Sequence, residues 1–133
     1  MTKTLKLGQT VKSTTTSLTA DATFRTIFTA GASGSKIFGV YSDGVNDTAN
    51  LVIQIGVTRS SVNYILSSGK NDQYKRSVGA NTFFQSDNYL NRMAGLPTDE
   101  TGSPYLFLVS GDTLTAMKAS GNNVNMVVFA DNF

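Results

Sequence analysis

The side chains able to do chemistry in this chain are carboxylates, amines, guanidiniums and hydroxyls: nine Asp and Glu, eleven Lys and Arg and five Tyr stand beside no His and no Cys. Without imidazole or thiol, Ser-His-Asp and Cys-His nucleophile systems and the usual His-based zinc sites are excluded. Short clusters remain. Gly31-Ala-Ser-Gly34-Ser-Lys36 has the glycines and lysine of a phosphate loop. Walker chemistry, however, needs Gly-Lys-Ser/Thr in direct succession and a helix aimed at the phosphate. Here the order is Gly-Ser-Lys and a strand-like run follows, so the segment reads as a turn. Asp47-Thr48-Ala49 echoes the Asp-Thr/Ser-Gly of dimeric aspartic proteases, whose paired carboxylates share a proton. Ala49 replaces the glycine and Val45-Asn46 lacks the apolar run that buries such a dyad. This too reads as a turn, with an Asx cap.

Asp43 and Asp47 place oxygens in one loop, but the further acidic positions of a calcium loop are missing. Asp99-Glu100 are adjacent on a turn and point apart, with no second pair for glycosidase-type acid and base work. Arg59, Lys70, Lys75 and Arg76 fall near Tyr64 and Tyr74, the mixture of cation and aromatic that can grip single-stranded nucleic acid. Asp72 among them and a net charge of only +2 argue instead for a polar rim or a protein-contact patch. The expectation is a protein that is not an enzyme, with no catalytic, cofactor-binding or metal-binding residues, no cofactor and no nucleic-acid partner.

The elements that would carry any site are β-strands. At 133 residues the chain fits one domain, which buries roughly two thirds of its unfolded surface. A 40% hydrophobic and 15% charged composition, rich in Thr, Ser, Asn and Gly, fits an ordered β-protein. The Met1 end has no apolar h-region and no run approaches the ~20 apolar residues of a membrane span, so a soluble protein made in the cytosol is expected, which the lack of Cys also fits.

Residues 1–9, with Leu5 and Leu7 between Lys3 and Lys6, read as a frayed terminus or as an arm that orders on assembly. Residues 1–22 are an N-terminal arm and first polar strand (Thr10 to Thr19), and 23–133 the β-sandwich domain. Period-two alternation predicts strands over Thr23 to Thr29, with Phe24 and Phe28 on one face, and over Lys36 to Ser42, ended by a turn at Asp43 to Asp47. It also predicts Asn50 to Thr58, with Leu51, Ile53, Ile55 and Val57 inward, and Val62 to Ser68, with Val62, Tyr64 and Leu66 repeating that pattern. The last two make a hairpin through Arg59-Ser60-Ser61. A further short strand is possible between Gln73 and Phe84. Ser86 to Ala94 predicts one short helix, capped by Ser86 and stopped by Gly95 and Pro97. Ser103 to Phe129 predicts a three-stranded meander with turns at Gly111 and Gly121. The fold class is all-β: a single-domain antiparallel sandwich of about eight strands, jelly-roll-like, with one helix.

The order Phe28-Thr-Ala-Gly31-Ala-Ser-Gly-Ser-Lys36-Ile, Asp47-Thr-Ala-Asn50, Leu96-Pro97, Gly102-Ser-Pro-Tyr-Leu-Phe-Leu, Gly111-Asp-Thr-Leu-Thr-Ala116 and Val127-Val-Phe-Ala-Asp-Asn-Phe133 resembles small tailed-phage virion proteins. Their capsid decoration (cement) and head accessory proteins are sandwich or jelly-roll modules, often trimeric. The resemblance implies a non-enzymatic structural protein on the capsid surface of a virion, a homo-oligomer with a trimer favoured, whose partners are the major capsid protein or other virion proteins. Arms at Met1 to Gln9 and Asp131 to Phe133 would reach neighbours, with Phe133 either an anchor or tucked into its own domain. The alternative is a host-recognition or glycan-binding module of a phage tail or fibre, stacking sugars on Tyr41, Tyr64 or Tyr74.

Overall fold

A computed structural model describes residues 10–46, 52–70 and 74–133. Among them the apolar and β-branched runs form ten strands: β1 Thr10–Leu18, β2 Arg25–Thr29, β3 Ser35–Val45, β4 Val52–Arg59, β5 Val62–Lys70, β6 Tyr74–Val78, β7 Asn81–Gln85, β8 Leu106–Leu108, β9 Thr113–Lys118 and β10 Val124–Asn132. They build two antiparallel sheets. The larger runs β1-β10-β3-β7-β6, with β8 also on β3, and the smaller runs β2-β9-β4-β5. With β6 and β8 set aside, the other eight, counted in chain order, lie 1-8-3-6 and 2-7-4-5, the double Greek-key order of a jelly roll. The inner faces share one core that includes Leu18, Ile27, Ile37, Val40, Ile53, Ile55, Leu114, Met126 and Val128. The all-β sandwich expected from the periodicity is the fold.

The first polar strand is integral to it. β1 pairs with β10 along all nine residues, Thr10 to Leu18, and Leu18 is fully buried. The segment Met1 to Gln9 and the Asp47-Thr48-Ala49 cluster lie outside the described residues. The C-terminal arm is corrected: Asp131 and Asn132 belong to β10, and the Phe133 N–H donates to the Gly34 carbonyl at 3.2 Å.

The expected helix over 86–94 is corrected to a single 3-10 turn, Tyr89–Arg92, capped by Asn88 rather than Ser86. The reason is competition from β3. The Ser86 N–H donates to the Ser42 carbonyl at 3.0 Å and the Ser42 N–H to Ser86 Oγ at 2.8 Å. The Asn88 amide bridges the Phe38 carbonyl and the Val40 N–H at 3.1 and 3.0 Å. Ser86 is spent on β3, and Asn88 serves both β3 and the Leu90 N–H at 3.1 Å, so the backbone stays extended up to Asn88 and turns only there. The apolar pattern still holds: Tyr89, Leu90 and Met93 are buried.

Four strand expectations also change. The terminal strands form with their glycine turns (Gly111 φ 91°, Gly121 φ 93°) but are no meander, because β8 and β10 sit in the larger sheet and β9 in the smaller. Gln73 to Phe84 gives not one strand but the β6–β7 hairpin. Asp43-Gly44-Val45, expected as a turn, continues β3 opposite β7. In β2 a register shift between Thr26 and Phe28 buries both Ile27 and Phe28, so strict alternation fails.

Candidate functional site

The clusters singled out by chemistry are dispersed. The Gly31–Lys36 segment is a turn between sheets, closed by Gly34 N–H to Gly31 O at 2.9 Å, and Lys36 sits over the Tyr105 ring at 4.7 Å. Asp99 accepts from the N–H groups of Thr101 and Ser103 at 2.9 and 3.0 Å and from the Thr101 hydroxyl at 2.7 Å. Those donors hold its pKa below the usual carboxylate value, as suits a loop-closing anion rather than an acid. No group of three Asp or Glu gathers to hold a metal among the described residues. The basic and aromatic residues split. Arg59 and Tyr64 lie on the smaller sheet, whereas Tyr74, Lys75 and Arg76 lie on β6, with Lys75 over Phe84 and Arg76 over Phe83 at 5.3 and 5.8 Å. No single cationic groove results.

Arg59 is instead committed to Asp112. Its Nε and Nη2 donate to the two carboxylate oxygens at 2.9 and 2.5 Å. Asp112 is only 1% exposed, also accepts the Val109 N–H at 2.9 Å, and is held below the usual carboxylate pKa by the guanidinium. Through its carbonyl it further accepts the Ala30 N–H. One side chain thus ties β4 to the β8–β9 turn and its backbone ties that turn to the end of β2.

Beside this pair the sandwich is open. Val57, Arg59, Tyr64 and Leu66 of the smaller sheet face Leu106, Phe107 and Leu108 of β8 across a cleft of ≈ 400 Å³. The opening follows from topology. β3 carries the β7–β6 hairpin along one end but only three-residue β8 along the other, so the edge strand β5 overhangs without a facing strand. Val62, Tyr64 and Leu66, expected to share the core pattern of β4, are instead 49, 54 and 37% exposed, and Ile65 beside them is 56% exposed. Phe107 and Phe133, 5.7 Å apart between ring centroids, continue the apolar surface, together with exposed Val109. Sequence alternation located these side chains but could not foresee that β5 would be an edge.

The three tyrosines proposed for stacking divide likewise: Tyr64 lines this cleft, while Tyr41 and Tyr74 line a recess on the outer face of the larger sheet. Comparison with models of protein families, with curated proteins and with solved structures returns no match.

Proposed function

We propose that this chain is a non-enzymatic structural protein of a phage virion that docks on and stabilises a capsid, through the open β5–β8 edge. The single observation that carries the reading is the composition of that edge. Val62 to Gly69 contains no charge and no Pro, and four of its side chains are large, apolar and at least one third exposed. Sheet edges of free-standing proteins are blunted by charge, proline or bulges, and an open one is a template for pairing; β5 has a bulge at Leu66 and its first charge at Lys70, so Val62 to Ile65 is the part left open. A rigid jelly roll presenting such an edge suits a module that joins a lattice and a homo-oligomer, with a trimer favoured. The resemblance to decoration proteins supplies the identity of the lattice, the major capsid protein. Stabilisation follows by linkage, since a ligand that binds the assembled shell better than its parts shifts the equilibrium toward the shell.

The experiment is saturable co-sedimentation with purified capsids, followed by heating of the shells. Decorated capsids are expected to survive hotter than bare ones, and Ile65→Lys is expected to abolish binding. Capsids that neither bind the full chain nor gain heat resistance would sink the reading. A second reading, a glycan-binding module of tail or fibre, is favoured by one observation: Tyr41 and Tyr74 line a common recess.

A further inference from the structure

We infer that the outer face of the six-stranded sheet is a binding groove for a neutral oligosaccharide, running across β10, β3, β7 and β6. This rests on the second reading above and assigns its site and ligand class. The strand registers place Asn125, Asp43, Gln85 and Tyr74 side by side: Asn125 pairs with Asp43, Asp43 with Gln85, and Gln85 with Tyr74. Directly paired residues point to the same face, so these four form one row, about 14 Å long at roughly 4.8 Å per strand. Asp43 and Gln85 also stand between two recesses of ≈ 320 and ≈ 340 Å³, since both residues line each of them.

On one side of the row are aromatic rings. Tyr41 meets Phe129 edge to face at 6.0 Å, and the two converge over Gly39, where a Cβ would come within 2.9 Å of the Tyr41 ring and 3.1 Å of Phe129. Glycine there leaves space for both rings against the strand. The polar row is uncommitted. The side chains of Asp43, Gln85 and Asn125 form no hydrogen bond with another described residue, whereas the nearby Asn122 and Asn46 amides are spent on backbone and side-chain partners.

This pairing of chemistries fits sugar rings. Aromatic faces take the C–H faces of a pyranose, and planar amide and carboxylate groups accept from and donate to its hydroxyls. A peptide lying across the face would gain little, because the backbone groups of β10, β3 and β7 are used in the ladder and only β6 is an edge. Arg76 lies on the same face, two residues along β6 from Tyr74, so with Asp43 the row carries no net charge, which suits a neutral chain.

The test is titration of the full-length protein with neutral hexasaccharides (maltohexaose, cellohexaose and N-acetylchitohexaose) and, as an anionic control, heparin hexasaccharide, read by NMR shifts. At least one neutral probe is expected to bind, with Tyr41→Ala and Asp43→Ala each weakening it roughly tenfold or more and Tyr64→Ala leaving it unchanged. Binding that survives both groove substitutions but falls with Tyr64→Ala would overturn the groove and keep carbohydrate recognition. Binding of none of the neutral probes, or of the anionic one in preference, would overturn both the site and its ligand class.

Discussion

Asp112 is buried, charged and answered by a partner that is half in water. Its folded-state pKa is depressed by the Arg59 guanidinium, so the sign of the pH dependence is fixed. The stabilisation is complete above the unfolded carboxylate value, is lost as pH falls below it, and is gone once pH has fallen through the lower native value. Asp112→Asn should therefore be less stable than the parent in denaturant at neutral pH, and the gap should close on acidification. A gap that stays constant with pH would show that the carboxylate's charge is not what matters. Tyr89 makes a different residue-scale prediction. It is fully buried, its hydroxyl lies 2.9 Å from Ser42 Oγ, and burial pushes its pKa up. Tyr89→Phe should cost about 1 kcal/mol, the usual net value of one such hydrogen bond. An unchanged denaturation midpoint would contradict the assigned bond.

At the scale of elements, the β4–β5 connection is formed by Ser60 and Ser61 at φ 50° and 64°, the two positive values of a type I′ hairpin turn. Serine adopts this region at a cost, whereas Asn-Gly favours it. Replacing Ser60-Ser61 by Asn-Gly should raise stability by about 1 kcal/mol, read as a shifted denaturation midpoint with unchanged slope. Loss of stability would mean that the serine side chains hold something else. The same element scale explains what could be read from sequence. Ile53, Ile55 and Val57 announced a core strand because period-two alternation is a direct imprint of one buried face. The helix over 86–94 was misread because Ser86 and Asn88 carry equally good signals for capping a helix and for bonding a neighbouring strand, and only β3 decides between them. The meander was misread for a related reason: Gly111 and Gly121 specify a turn, not which sheet the chain enters next. Of the two binding surfaces, Tyr41, Tyr64 and Tyr74 were visible as candidates. Asp43, Gln85 and Asn125 were not visible as a row, because they come from three strands far apart in the chain whose neighbourhood is set by the sheet order.

For the whole molecule, the decisive feature is that the sandwich closes on one side and not on the other. Val62, Tyr64, Leu66, Phe107, Val109 and Phe133 together expose on the order of 500 Å² if large side chains carry roughly 150–250 Å² each, over half of the roughly 800 Å² per partner of a standard interface. An apolar surface of that size beside an edge that carries no charge or proline from Val62 to Gly69 is what an assembling protein presents. Ile65→Lys places a charge midway along the β5 edge strand, opposite Gly56 and outside the core, so folding should be preserved while association through that edge is lost. The most direct test is the mass of the full chain in solution by sedimentation, for the parent and for Ile65→Lys. The parent is expected to sediment as an oligomer, at three times the 14.2 kDa of one chain for a trimer, and the variant as a folded monomer. A parent that is strictly monomeric at every concentration, and that the substitution leaves unchanged in its capacity to bind capsids, would contradict it.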